Sequence, residues 1–240
     1  MKIEVDTHTH TILTGHAFST IIENVQIAKK VGLKGLCLTD HGPSRPDSPS
    51  IEYFKMLASR YLPDEIEGIK IFTGCEMNII SEDGDVDLPL NIYKNLDFNI
   101  IAFHNQTPYS SNSKVKNTKS MINTLKKENI NGIAHPGDPY FPYPIDLEDI
   151  VKAASDYDKA VELNNNVLKR GEYWINYYKE MLNLCLKYKL KIFISSDAHF
   201  AYYIGEFSDA IKLLDEFDSN IKELVINKNI EDFEKFIKKI

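Results

Sequence analysis

The sequence predicts an α/β fold in which parallel strands form a closed or nearly closed barrel within a single domain. Short apolar runs alternate with longer helical patterns, which is typical of parallel βα units. Seven such runs fit within 240 residues, a number that favours a barrel over an open doubly wound sheet. No glycine-rich loop follows the first run, which disfavours a Rossmann or P-loop protein. Because no linker is apparent, residues 1–240 are expected to form one domain.

Each predicted strand is a short and nearly continuous hydrophobic run, as expected for parallel strands that are buried on both faces. A strand-like piece at 224–227 follows the last of them. The seven runs, in chain order, are 2–6, 34–39, 69–75, 97–103, 131–134, 159–163 and 191–195.

Helical patterns separate most of these strands. Thr20 and Glu23 form a capping box that predicts a helix ending near Gly32. The amphipathic tail at 231–240 predicts a terminal helix packed against the domain. The other predicted helices cover 120–129, 146–155, 172–188 and 205–217.

Composition limits the classes of function. The chain is 43% hydrophobic and 26% charged, which is typical of a globular protein in water. Its net charge of −7 counts against nonspecific nucleic-acid binding, although bound cations would still attract an anionic substrate. No run is long enough to span a membrane, and no secretory signal is apparent, so we expect a cytoplasmic protein. The scattered cysteines Cys37, Cys75 and Cys185 are expected to be buried thiols.

The histidines show the strongest pattern. Six of the seven directly follow an apolar run, and His16 lies in the loop after the first one. Because the carboxyl ends of barrel strands meet on one face, all of them should converge there. In addition, His8 and His10, like Asp197 and His199, are two positions apart, which places their side chains on the same face of an extended chain. Imidazole and carboxylate groups are typical ligands of zinc, iron and manganese.

Glu76 directly follows the apolar run at 69–75, which supplies no histidine of its own. A carboxylate has two oxygens and can bridge two cations. Taken singly, His104 or His135 is more simply explained as a hydrogen-bonded histidine, and Asp6 and Asp40 as strand-end caps. A metal site is nevertheless predicted, because six strands each end in a residue of ligand type.

These residues resemble the motifs of the PHP (polymerase and histidinol phosphatase) family along almost the whole chain. The similarity is greatest to the YcdX-like branch of stand-alone phosphatases, which implies a distorted (β/α)7 barrel and a trinuclear centre, usually of zinc. The matching segments are Asp6-Thr7-His8-Thr9-His10, the stretch from His16 to Thr20, Thr39-Asp40-His41-Gly42-Pro43, Gly74-Cys75-Glu76-Met77-Asn78, Ala102-Phe103-His104, Ala134-His135-Pro136-Gly137, Glu162-Leu163-Asn164-Asn165 and Ser196-Asp197-Ala198-His199.

The resemblance implies three ligand groups for three divalent ions, with Zn2+ expected and Mn2+ or Fe2+ as alternatives. Glu76 would bridge the first two groups. The groups are His8, His10, Glu76 and Asp197; then Glu76, His104 and His135; and finally His16, His41 and His199.

The expected activity is hydrolysis of phosphate monoesters by metal-bound hydroxide, with Glu76 and Asp197 as catalytic residues. Arg45, Asn164 and Arg170 are candidates for contacts with a small phosphorylated substrate. Three alternatives remain open: a histidinol phosphatase, a PHP-type nuclease acting on phosphodiesters, and a non-catalytic metal-binding module. The resemblance also leaves a homo-oligomer open.

Overall fold

The computed structural model describes residues 1–137, 143–217 and 219–239. Within them, seven parallel strands form one sheet in the order β1-β2-β4-β5-β6-β7-β8, and the short β3 pairs antiparallel with β4. This is the predicted single-domain α/β barrel. The strands are β1 (Val5–Asp6), β2 (Gly35–Leu38), β3 (Glu65–Ile66), β4 (Ile69–Asn78), β5 (Phe98–Ala102), β6 (Gly132–Ile133), β7 (Ala160–Asn164) and β8 (Lys191–Ser195).

The barrel is nearly closed between β1 and β8. Beyond the ends of these strands, Thr9 and Ala198 form a parallel bridge, and the His10 amide donates to the Ala198 carbonyl at 2.9 Å. At the opposite end, the Asn227 amide nitrogen donates to the carbonyls of Val5 (2.8 Å) and Ile194 (2.6 Å). The segment predicted as a strand at 224–227 therefore lies between the first and last strands and joins them by hydrogen bonds, but forms only an isolated bridge with Ile192.

Helices connect the strands on the outside of the barrel. The predicted capping box is confirmed, since the Thr20 hydroxyl accepts from the Glu23 amide and Gly32 ends the helix in a left-handed conformation. The helices are α1 (Ile21–Val31), α2 (Ile51–Ala58), α3 (Leu90–Tyr93), α4 (Lys114–Leu125), α5 (Leu147–Asp156), α6 (Asn165–Leu168), α7 (Glu172–Tyr188), α8 (Ser208–Asp215), α9 (Asn220–Glu223) and α10 (Ile230–Ile237), with a 3-10 turn at Ala201–Tyr203.

The helix predicted at 120–129 begins and ends earlier than expected. Ser113 caps α4 by accepting from the Lys116 amide at 3.4 Å. The first turns of α4 bury polar residues, including Asn117, which donates to the Ser111 carbonyl at 3.1 Å. Buried polar side chains interrupt the apolar periodicity, so the sequence pattern missed this part of the helix. The prediction at 172–188 coincides with α7.

Apolar side chains fill the barrel at the amino-terminal ends of the strands, here called the lower barrel. Polar side chains fill it at the carboxyl-terminal ends, here called the upper barrel. Phe233 of α10 is fully buried and packs edge-on against Phe72 at a ring separation of 5.0 Å, next to Phe98 at 5.1 Å. The predicted packed terminal helix is thereby confirmed, and it seals the amino-terminal end of the strands. The three cysteines are buried free thiols, as expected. Among the described residues, no helix is both long and apolar enough to cross a bilayer.

Candidate metal centre

The carboxyl ends of the strands bring the predicted ligands into one polar cluster at the open end of the barrel. His8 and His10 follow β1, and His41 follows β2, where it bridges to Glu76 of β4. β4 extends to Asn78, three residues further than predicted, so Glu76 lies within the strand and not at its end. All seven histidines lie outside helices. His104, His135 and the Asp197–His199 pair follow β5, β6 and β8.

Glu76 lies at the centre of this cluster and is fully buried. Its Oε1 is 2.6 Å from Nε2 of His135 and 3.1 Å from Nε2 of His104. Its Oε2 is 2.6 Å from Nδ1 of His41 and 3.3 Å from Nε2 of His8. Each oxygen thus faces a different set of imidazoles, which is the arrangement required of a bridging carboxylate.

Asp197 serves a second group of histidines. Its Oδ1 lies 3.3 Å from Nε2 of His10, 3.7 Å from Nε2 of His8 and 3.5 Å from Nδ1 of His199. The backbone of Asp197 has a φ of +50°, a left-handed conformation that is uncommon for a residue with a side chain. The turn after β8 therefore aims this carboxylate inward.

His16 belongs to the exposed side of the cluster. Its ring stacks on His199 with centroids 4.8 Å apart and lies 5.2 Å from the ring of His41. Its side chain is 39% exposed, and its Nδ1 lies 2.7 Å from Oδ2 of Asp47. The third predicted ligand group is therefore together in space, on the side open to solvent.

The donor atoms fit divalent metal ions. Candidate ligand atoms lie within 4.8 Å of one another in three sets: His10 with His41 and His199; His8 with His10 and Glu76; and His41 with Glu76 and His104. The sequence assigned His10 and His41 to one group each, but each belongs to two of these sets. His10 also lies with His41 and His199, and His41 also lies with Glu76 and His104. The buried Glu76 Oε2 and His41 Nδ1 form no hydrogen bond despite their proximity, so their lone pairs share a space suited to a cation.

The electrostatics also suit metal binding. Burial raises the pKa of Glu76, but the surrounding histidines, led by His41, outweigh burial and hold this pKa well below its ordinary value. Burial also raises the pKa of Asp197, but the neighbouring histidines, led by His8, lower it by more. The pKa of Asp197 therefore lies well below its usual range. Burial lowers the pKa of His41 to about 3 and that of His10 well below its ordinary value. Neutral imidazoles beside ionised carboxylates are the protonation states that bind metal.

The pKa of His8 shifts the other way. Burial alone would lower it, but Glu162, Glu76 and Asp197 raise it well above its ordinary value. Without a metal ion, His8 therefore supplies a positive charge among these carboxylates. A divalent cation would compete with that proton.

Several supporting residues escaped the sequence interpretation. Glu162 is a charged residue within the otherwise apolar run of β7, and that contrast was a usable signal. Asn78 lies with Oδ1 2.7 Å from Nδ1 of His104. Asp47 contacts His16 from a loop, where no sequence pattern indicated it. Asp40 accepts from the Thr11 amide at 2.7 Å, which supports the interpretation as a strand-end cap.

The three predicted substrate residues lie in different environments. Arg45 is bound to Asp47 through Nε and Nη2, each at 3.3 Å, and its charge contributes to lowering the pKa values of His41 and His104 after burial. Asn164 is fully buried, and its side chain is held within the protein. Arg170 is half-buried just beyond α6. A substrate contact by each of these residues stays a prediction.

Comparison with known sequences gives consistent matches. A sequence model of the family described as the PHP domain matches residues 6–240. A probable phosphatase of Caldicellulosiruptor saccharolyticus is 42% identical over 238 residues, which cover 99% of this chain and 97% of that protein. A probable phosphatase of Caldanaerobacter subterraneus subsp. tengcongensis is 39% identical over 245 residues, which cover 99% and 92%.

Solved structures share the fold at much lower identity. Histidinol phosphate phosphatase from Lactococcus lactis subsp. lactis, crystallised with zinc, L-histidinol and phosphate, aligns with a TM-score of 0.63 and 16% identity, covering 90% of this chain and 94% of that one. A chain of archaeal ribonuclease P, solved with mature tRNA, aligns with a TM-score of 0.60 and 17% identity, covering 98% and 90%.

Proposed function

Because this chain belongs to the PHP domain family, we propose that it is a metal-dependent phosphatase that hydrolyses phosphate monoesters at a trinuclear centre. The observation that carries the proposal is Glu76, a buried carboxylate whose two oxygens face histidines from four other strand ends. Burying a carboxylate costs free energy, and cations held between its oxygens and the surrounding imidazoles would offset that cost.

The ligands of the three ions are proposed to be His8, His10, His16, His41, Glu76, His104, His135, Asp197 and His199. Imidazole and carboxylate donors suit zinc, manganese and iron alike, and zinc is the expected metal because the histidinol phosphate phosphatase of similar fold was crystallised with it. When bound, divalent ions supply Lewis-acid chemistry that lowers the pKa of water and neutralises charge on a phosphoryl group.

The chain's own residues determine how a phosphate ester would enter. The half-exposed His16 and His199 are on the open side of the cluster, whereas Glu76 and His8 are sealed behind them. Arg45 lies on the same side and is held by Asp47, which also binds His16. Its guanidinium offers the planar donors that bind phosphate oxygens. We therefore propose that Arg45 orients the substrate and that Glu76 and Asp197 hold the reacting centre.

A screen of phosphate release from purified, zinc-loaded protein tests this function. The substrates are sugar phosphates, histidinol phosphate and short oligonucleotides, which also separate the alternatives of histidinol phosphatase and nuclease. We expect release of inorganic phosphate from small monoesters and no cleavage of internal phosphodiesters. Cleavage of oligonucleotides alone, or no hydrolysis by protein that holds its zinc, would contradict the proposal.

A substitution tests whether the centre carries the activity. Glu76→Ala should reduce kcat by at least about 100-fold, because it removes the carboxylate shared by the proposed ligand groups. Glu148→Ala is the matched control, since Glu148 pairs with Lys187 on the exposed surface and should leave turnover unchanged. Full activity in Glu76→Ala would refute the assignment of this residue.

A further inference from the structure

One strand of the barrel supplies no proposed metal ligand, yet it carries two buried polar residues at its carboxyl end. Glu162 and Asn164 of β7 are two positions apart, so both side chains lie on the same face of the strand. We propose that Glu162, assisted by Asn164, is a positioning residue that fixes three ligands of the metal centre: His8, His135 and Asp197. This rests on the proposed metal site but does not depend on the reaction carried out there.

The carboxylate of Glu162 is fully occupied by protein contacts. Its Oε1 lies 2.7 Å from Nδ1 of His8 and accepts from the Ser195 hydroxyl at 2.5 Å. Its Oε2 accepts from the His135 amide at 2.5 Å and from Nδ2 of Asn164 at 3.1 Å. Four partners on four strand ends thus converge on one buried group, which leaves it no free lone pair directed at a metal.

The contact with His8 determines which ring nitrogen is available to a metal. A carboxylate beside Nδ1 favours a proton on that nitrogen, so the lone pair is left on Nε2. Nε2 of His8 lies 3.3 Å from Oε2 of Glu76 and 3.7 Å from Oδ1 of Asp197, within the proposed ligand cluster. Glu162 therefore selects the tautomer in which His8 can act as a ligand.

The same pair of residues secures two ligands with unusual backbones. His135 has a φ of +25° and Asp197 a φ of +50°, conformations that cost free energy for residues other than glycine. Glu162 holds the His135 amide, and Asn164 donates to Oδ2 of Asp197 at 3.2 Å. With Oδ2 engaged, Oδ1 is the oxygen of Asp197 that faces His10.

Zinc affinity of the Glu162→Gln protein tests the proposal. Glutamine keeps the size of the side chain, but its amide NH2 group cannot accept from the donors that surround it. We expect the tightest-bound zinc to be held about 10- to 100-fold more weakly, as for other carboxylates that orient a metal-bound histidine. The measurement is competition with a coloured chelator, together with the visible spectrum of cobalt-loaded protein, which should change because the ligand geometry changes.

Asp97→Asn provides a matched control. Asp97 also joins neighbouring segments, by accepting from the Thr73 amide at 2.8 Å and from Arg60 at 2.7 Å, but it lies at the opposite end of the barrel. This variant should lose stability while retaining the zinc affinity and cobalt spectrum of the wild type. A purely structural role for Glu162 predicts the same behaviour for Glu162→Gln, and that result would overturn the proposal.

A second variant covers the case in which Glu162→Gln does not fold. Ser195→Ala removes one donor from Glu162 and touches no proposed ligand, so it should weaken zinc binding in the same direction but by a smaller factor. Unchanged zinc affinity in this variant would count against the proposal. Because neither readout uses turnover, a wild-type protein that binds zinc but releases no phosphate would refute the proposed activity and leave this test intact.

Discussion

At the scale of single residues, the centre depends on carboxylates that remain ionised without access to water. Burial raises the pKa values of both Glu76 and Asp197, yet neighbouring histidines reverse the effect. Interactions that outweigh burial must be short, and His41 and His135 lie only 2.6 Å from the oxygens of Glu76. The carboxylates are therefore held in their ionised, metal-binding state before any cation arrives, whereas His8 must first lose a proton.

Asp6 behaves differently because it has no cationic partner among its hydrogen bonds. Burial raises its pKa from 3.8 to about 6, although Ser196 and Gly205 donate to it. Its folded-state pKa exceeds the unfolded value, so its contribution to stability is fully present below about pH 4 and is lost as pH rises through 6. The shift corresponds to about 3 kcal/mol in the free energy of unfolding.

Asp6→Asn should abolish this titration. Relative to the wild type, the variant should gain about 3 kcal/mol of stability between pH 4 and pH 7, whatever its absolute stability. Urea unfolding of both metal-free proteins at the two pH values measures the difference. A difference that does not change with pH would show that Asp6 is ionised in the fold throughout this range.

Six of the seven clustered histidines were predictable from sequence because each directly follows a hydrophobic run, whereas His16 lies in the loop after the first run. Their partners were less so. Glu162 belongs to the run that seemed to have no metal ligand, and its contact with His8 spans 154 positions. Asp47 lies in a polar loop, where a carboxylate is ordinary. Spacing reveals which residues lie at a strand end, but the partner of each side chain depends on the packing of distant strands.

At the scale of elements, strand ends determine where the ligands lie. β4 shows why its end was misjudged: Glu76, Met77 and Asn78 pair with β5 residues Ile100 to Ala102 instead of entering a loop. In a sequence, a charged residue within a strand looks like the end of the apolar run. The backbone can nevertheless continue to pair with the neighbouring strand beyond that residue. The early start of α4 was hidden for a related reason, since its first turns bury polar groups.

Gly74 of β4 tests the close packing of these strands. An added Cβ would overlap the carbonyl oxygen of Phe98 and lie 3.2 Å from the Thr39 methyl group. Gly74→Ala should therefore cost about 3 kcal/mol of stability and displace Glu76, which would also weaken zinc binding. Gly68→Ala is the control, because an added Cβ meets nothing within 4 Å and only its left-handed φ of +84° costs about 1 kcal/mol. Chemical denaturation compares them, and equal losses would contradict the expected overlap.

At the scale of the whole molecule, the proposed ligands come from six of the seven parallel strands, and β7 is joined to them through Glu162. Cations bound there would link segments from both ends of the chain across the incompletely closed seam between β1 and β8. Hydrophobic packing closes the lower barrel, where Phe233 is buried, whereas the upper barrel holds polar groups. The proposed metal centre would therefore take the place of an apolar core at that end.

Metal removal should accordingly destabilise the protein. A ligand present at about 1,000 times its Kd stabilises a fold by about 4 kcal/mol, which corresponds to about 10 °C in Tm for a chain of this size. We expect a loss of that order on treatment with a chelator, and its recovery when zinc is added back. Calorimetry of the Glu76→Ala protein is the control, because its Tm should respond much less. A wild-type Tm that ignores chelator would contradict a metal-supported upper barrel.

The seam between β1 and β8 also bears on when the proposed metal centre can be completed during synthesis. Asp6 and Ser196, which bond across it, are 190 positions apart, so the first histidines leave the ribosome long before Asp197 and His199 are translated. Until then, the nascent chain exposes isolated imidazoles and unpaired strand edges, which chaperones would have to shield. The complete set of proposed ligands therefore exists only after Asp197 and His199 have been translated, which would make full metal loading a late step in biogenesis.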